Sequence, residues 1–267
     1  MGFVTLDALE DPRLAVFRHL KPHNSTRHLG SFVLEGEKLL LRLLESPQFQ
    51  IESAVLSPSR AERLRSTIPS EIPAYVLDES LISQLVGFPF HLGVISSARR
   101  TPWMPVATYC EAAFKRQNRI TLAVCPAVND PENLGAIARI GDSFGIDGIL
   151  AGPNCPDPLS RRVLRVSMGA VLRLPVWQES DLAQATRELA RRVPLRLAAC
   201  VAQPEATPLH EFDRPAALGL VFGNEAQGLP HEWVARCEDQ LTIPMRSGAD
   251  SLNVAVSAGI ILHHVMR

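Results

Sequence analysis

Three short segments of this 267-residue chain gather glycine, asparagine and small polar residues where a strand would end. The first, after the apolar run Ile120 to Val128, is Asn129-Asp130-Pro131-Glu132-Asn133-Leu134-Gly135-Ala136-Ile137-Ala138-Arg139. The second is Leu220-Val221-Phe222-Gly223-Asn224-Glu225-Ala226-Gln227-Gly228-Leu229. The third is Leu241-Thr242-Ile243-Pro244-Met245, followed after a loop by Ser251-Leu252-Asn253-Val254-Ala255-Val256-Ser257. Ligands of parallel α/β sheets collect at the carboxyl ends of strands, so these are the candidate site segments. None reads G-x-G-x-x-G or G-x-x-x-x-G-K-[ST], which weakens the dehydrogenase and nucleotide-hydrolase readings.

Each segment has a chemical reading and a plainer one. Asp130-Pro131 suits the start of a helix, whose N-terminus can receive an anion. Asn133 and Arg139 lie six residues apart, nearly two helical turns, and read as sharing one side of that helix. A helix cap and a surface arginine would explain them equally well. Gly223 admits either another backbone or a flat ligand. Glu225 is a carboxylate beside it, or a solvated loop charge. Ser251 is placed to cap the last helix, with Asn253 in its first turn.

Elements must hold these residues in place. Leucines 39, 40, 43 and 44 make one face of a helix over 35–46. Strands are expected at 51–56, 74–77 and 93–96, with helices at 61–66 and 79–86, the latter capped by Asp78. The Arg99-Arg100-Thr101-Pro102-Trp103-Met104-Pro105 stretch breaks the pattern as a linker would. Beyond it, strands are expected at 120–128, 148–151, 170–176, 195–201, 217–222 and 241–244. Helices are expected at 133–144 (ended by Gly145), 160–167, 181–192, 231–237 and 251–267. That alternation predicts an α/β fold with a parallel sheet covered on both faces. Hydrophobic residues make up 46% and charged residues 21%, ordinary for a globular chain, and net charge is −1. A polyanion would therefore need a local basic patch. No apolar run reaches the roughly 20 residues of a membrane span, and Asp7, Glu10 and Asp11 interrupt any secretory signal. Five scattered cysteines without C-x-x-C spacing argue against a disulfide framework and a zinc site. A cytoplasmic, metal-free protein is expected.

Taken together and in order, Asn133 to Arg139 with its flanks, Phe-Gly-Asn-Glu-x-x-Gly-Leu at 222–229, and Ile-Pro-Met with Ser-Leu-Asn-Val at 243–254 closely resemble the three motifs of the SPOUT-class TrmH/SpoU family of RNA ribose 2′-O-methyltransferases. Ser167-Met168-Gly169-Ala170 is similar to the family's connecting segment. The resemblance covers about 118–267. It extends more weakly to Phe32 through Lys38 and His91 through Val94, which look like the small α/β RNA-binding domain of many members. Leu92 stands where that domain often has glutamine. The resemblance implies an N-terminal RNA-binding domain over 1–104, a linker over about 99–117, and a trefoil-knotted methyltransferase domain over 118–267.

The resemblance further implies S-adenosylmethionine as donor, no metal, and a homodimer through the C-terminal domain. Gly223, Ile243 and Leu252, with Asn224, Met245 and Val201, would form the donor site. Arg139, Asn133, Glu225, Ser251 and Asn253 would form the catalytic set. A guanidinium stays protonated, so Arg139 is expected to grip a phosphate and fix the ribose rather than act as base. Candidate RNA contacts are Arg161, Arg162 and Arg165, then Lys115 and Arg116 with Arg119, and the cluster Arg18, Lys21, Arg27; a solvated face explains each cluster as well. Trp103 is expected to be a packed inter-domain anchor, with base stacking as its other role. Ribosomal RNA is favoured over tRNA as substrate, and a non-catalytic RNA-binding protein is the remaining alternative.

Overall fold

The computed structural model describes residues 2–18, 20, 27–224, 227–246 and 251–267. Internal contacts divide the chain into two compact units, Met1–Pro102 with Leu159–Leu172, and Trp103–Pro158 with Arg173–Arg267. Segment 159–172, which the sequence groups with the C-terminal domain, counts with the first unit.

The first unit holds strands β1 (Phe3–Thr5), β2 (Ser31–Glu35), β3 (Ile51–Leu56), β4 (Ala74–Val76) and β5 (Val94–Arg99). Its helices are α1 (Glu37–Leu44), α2 (Pro58–Leu64) and α3 (Glu79–Val86). The sheet order is β1-β4-β3-β5-β2, with β5 antiparallel to both of its neighbours. Leu39, Leu40 and Leu43 are the buried face of α1, as their spacing predicts. The short edge strands β1 and β2 were not legible from pattern alone. β5 runs on to Arg99, so the linker region begins inside the sheet.

The second unit is a seven-stranded, wholly parallel sheet in the order β10-β12-β9-β11-β6-β7-β8. Its strands are β6 (Ile120–Cys125), β7 (Gly148–Ala151), β8 (Val176–Gln178), β9 (Leu195–Cys200), β10 (Thr207–Pro208), β11 (Ala217–Val221) and β12 (Asp239–Thr242). The helices that follow α3 are α4 (Val106–Gln117), α5 (Pro131–Phe144), α6 (Arg161–Val166), α7 (Leu182–Ala190), α8 (His231–Val234) and α9 (Val254–Val265). Of these, α6 lies in the segment of the first unit. β6 and β11 sit at the centre with every residue buried, which explains their uninterrupted apolar runs.

Two readings need correction. The supposed linker over 106–117 is helix α4, and its Val106, Cys110 and Ala113 belong to the second unit's core. The prolines that mark the break end at Pro105, the residue that caps this helix. The expected strand at 170–176 is a 3₁₀ turn, Ala170–Leu172, with β8 beginning only at Val176. A short apolar run without periodicity cannot distinguish these outcomes. Trp103 and Tyr109 both pack against the second unit's core. Among the described residues no helix is long and apolar enough to cross a membrane.

Candidate active site

Chain leaving β6 turns into α5 through Asp130, whose carboxylate accepts the Glu132 amide at 2.8 Å and caps the helix. Pro131 fills the first position, and Gly145 closes the far end in the left-handed conformation. Asn133 is 8% exposed, whereas Arg139 is exposed. At 3.6 residues per turn, six residues leave two side chains about 120° apart. Asn133 and Arg139 therefore do not share a side, contrary to the reading of their spacing. Among the described residues the side chain of Arg139 has no hydrogen-bond partner; Ser143 Oγ donates to its carbonyl at 2.8 Å.

After β11, Asn224 and Gly228 are paired with each other. Asn224 and Gly228 exchange main-chain hydrogen bonds of 3.0 and 2.8 Å. The Asn224 side chain receives the Gln227 amide at 3.2 Å and donates to the Ala127 carbonyl at 3.3 Å. One carboxamide thus ties this loop to the loop that leads into α5. A Cβ on Gly223 would stand 2.5 Å from Gly228 C and Leu229 N. Of the two roles open to Gly223, close approach of backbone is the one this geometry demands. Glu225 and Ala226 lie outside the described residues.

The last helix begins at Val254, and its N-cap is Asn253 rather than Ser251. Asn253 Oδ1 accepts the amides of Ala255 (2.9 Å) and Val256 (3.3 Å). Its Nδ2 donates to Asn133 Oδ1 at 2.9 Å. The carboxamide that starts α9 therefore also holds α5. Asn253→Ala is expected to lower stability by about 1 kcal/mol, and Asn253→Ser by much less, since a serine oxygen still caps. Urea denaturation of the two variants checks this; equal losses would sink the capping role.

Loops after β9, β11 and β12 enclose a cavity of about 380 Å³ together with the start of α9. Its volume lies within the roughly 300–1,000 Å³ of small-molecule sites. Val201, Gly223, Asn224, Ile243, Met245 and Leu252 all line it, as does Ser251. Asn133, Asn253 and Arg139 do not. Sequence reasoning passed over Cys200, Ala202, Gln203, Val234 and Ile261, which also line it, and gave Leu229 and Ser257 of the named segments no role. The strand-end rule could have found Cys200 and Gln203, because Cys200 ends β9 and Gln203 lies just beyond it. Burial pushes the Cys200 thiol pKa upward, and nearby Cys237 adds to the shift. That shift favours the protonated, weakly nucleophilic form of the sulfur.

The basic candidates are dispersed. Lys115 and Arg116 end α4, at the amino end of β6, whereas the cavity lies at carboxyl ends of the same sheet. Lys115 is also paired with Glu111 at 2.6 Å. Arg119 donates to the Val265 carbonyl at 2.7 Å, at the end of α9. Arg161 is committed to Glu35, the Leu20 carbonyl and the face of Phe88. Arg165 is exposed on α6, and Arg18 donates to the carbonyls of Leu9 and Asp11. Lys21 lies outside the described residues.

The family model described as SpoU rRNA Methylase matches residues 121–263. A protein of Mycobacterium tuberculosis named an uncharacterized tRNA/rRNA methyltransferase is 30% identical over 266 residues, covering 97% of this chain and 90% of its own. The 23S rRNA (guanosine(2553)-2′-O)-methyltransferase of Bacillus subtilis is 24% identical over 260 residues, covering 97% and 98%. Among solved structures, the AdoMet-bound rRNA methyltransferase from Sinorhizobium meliloti aligns with a TM-score of 0.80 at 24% identity, covering 98% of this chain and 97% of that one.

Proposed function

Because this chain belongs to the SpoU rRNA methylase family, we propose that it methylates a ribose 2′-hydroxyl of RNA, using S-adenosylmethionine and acting on ribosomal RNA in the cytoplasm. The observation that carries this is the cavity built by the loops after β9, β11 and β12, whose walls include residues of the second and third motif segments. Its residues fit the donor. Ile243, Leu229 and Val201 offer apolar surface to a flat base, and main-chain groups of the 222–229 loop offer polar contacts. The Bacillus relative's name supports ribosomal RNA and the 2′-oxygen.

When bound, the donor supplies a methyl group on a positively charged sulfur. A ribose hydroxyl is a weak nucleophile, so the chain's task is alignment and removal of the proton. Arg139 holds the phosphate beside the target ribose through its guanidinium fork, and that phosphate takes the proton from the 2′-oxygen. Asn253 and Asn133 fix α5, and with it Arg139, against the cavity wall that α9 completes. Ser251, at the cavity rim, and Glu225 orient the hydroxyl.

Charge supports a division of labour. The N-terminal unit has 14 Lys and Arg against 11 Asp and Glu, while the second unit has 13 against 17. RNA docking therefore falls to the N-terminal unit, with Arg165 and Arg162 as contacts. The reading includes the family's trefoil knot, supported by the packing of α9 on α5 and by the cavity that residues after β11, after β12 and of α9 line together. It includes the homodimer too. Leu252, Val256 and Ile260 recur every fourth residue and are exposed, and Phe144 of α5 is exposed as well. An apolar stripe of this kind fits a second copy. Ile260→Glu is expected to shift the protein from dimer to monomer in sedimentation velocity; an unchanged dimer would remove the stripe from the interface.

The activity is tested with radiolabelled donor on unmodified rRNA and tRNA separately, followed by alkaline digestion. A 2′-O-methyl group blocks cleavage of the next phosphodiester, so label is expected in alkali-resistant dinucleotides from rRNA. Label in mononucleotides would mean base methylation and overturn the reading. Label in dinucleotides from tRNA alone would keep the chemistry and change the substrate.

A further inference from the structure

Leu159–Leu172 interrupts the second unit's sheet in sequence, between β7 and β8, yet it is packed as part of the first unit. The contacts are specific and come from several places along the first unit's chain. Arg161 pairs with the nearly buried carboxylate of Glu35 in β2, donates to the Leu20 carbonyl, and lies 4.6 Å over the ring of Phe88. Ser46, after α1, donates its hydroxyl to the Leu172 carbonyl at 2.9 Å. Gly169 adopts a φ of +77°, and a Cβ there would stand 3.0 Å from Leu39 and 3.3 Å from Arg42. Val163, Leu164, Ala170, Val171 and Leu172 are buried. A positive φ, a glycine fitted against α1 and a half-buried ion pair on one 14-residue segment are not the marks of a loose connector.

We infer that segment 159–172 is a built-in conformational link: it is energetically a part of the N-terminal unit, while its ends are covalently the continuations of β7 and β8. Loosening of the N-terminal unit releases α6 and with it the chain leaving β7 and entering β8. Tightening of that unit, as by a bound ligand, restrains the same two chain ends. Arg161 is the positioning residue that seats the link. Its side chain is spent on Glu35, Leu20 and Phe88, so it is removed from the set that touches RNA.

Native-state hydrogen exchange of the full-length protein in increasing urea tests this without any substitution. The reporters are the amides of Leu164, Ser167, Gly169 and Leu172, which bond within the segment to Ser160, Val163, Leu164 and Gly169 at 2.8–3.1 Å. Their exchange rates are expected to merge with those of β3 and β5 as urea rises, and to stay separate from β6 and β11. Merger with β6 and β11 would overturn the inference. So would one common transition for all amides, because the N-terminal unit would then have no state of its own to transmit. Arg161→Met keeps the side-chain stem and removes the guanidinium. It is expected to speed exchange of the four reporters and of β2 by about tenfold, with β6 and β11 unchanged. An acceleration confined to α6, with β2 at its wild-type rate, would overturn the seating role.

Discussion

Arg139→Ala is expected to lower methyl transfer by about a thousandfold while leaving the donor dissociation constant within about twofold. The two halves of that expectation rest on different observations. Arg139 does not line the cavity, so its removal takes nothing from the donor's walls. Its guanidinium is exposed on α5 and has no hydrogen-bond partner among the described residues. Its removal therefore costs the fold little and takes away one interaction with substrate. Arg139→Lys keeps the charge but loses the planar fork, and should recover about a tenth of the wild-type rate. Single-turnover rates and calorimetric donor titration separate the two effects. A variant with alanine at 139 that retains more than a tenth of its activity would remove the arginine from the mechanism.

Gly223→Ala is expected to weaken donor binding by about a hundredfold, roughly 2.7 kcal/mol. The added carbon would meet Gly228 C and Leu229 N at 2.5 Å and Gly228 O at 2.7 Å, all main-chain atoms that no rotamer change can clear. The 222–229 loop must open, and the Asn224 bonds to Gln227 and Ala127 open with it. Gly228→Ala is the informative contrast. A Cβ there meets nothing within 4 Å, and only its φ of +69° is unfavourable. It should cost about 1 kcal/mol of stability and little donor affinity. Equal affinities for the two variants would mean that the crowding at Gly223 does not shape the cavity.

What could be read from the sequence followed from periodicity and from strand ends. β3, β7 and α3 fall where their patterns put them, and Gly145 ends α5 as a left-handed cap. The expected donor-site residues at 201, 223, 224, 243, 245 and 252 share one cavity because the strands before them are neighbours in the order β12-β9-β11. That order is a tertiary fact with no local signal. α4 was hidden because the two prolines before it read as a linker, although its tenant side chains Val106, Cys110 and Ala113 are core. Asn253 and Ser251 are equally good caps by type. Only the position of Asn133, 120 residues earlier, decides between them.

The opposite charge balances of the two units bear on how fast a polyanion can be captured. At low ionic strength RNA is attracted by the N-terminal unit and repelled by the other, so first encounters are biased toward the N-terminal unit. Added salt shortens the reach of both forces to about 8 Å near physiological strength. It thereby slows capture while easing delivery of the target ribose to an acidic neighbourhood. Turnover at limiting RNA should pass through a maximum as salt is raised, an optimum set by a chain whose overall charge is only −1.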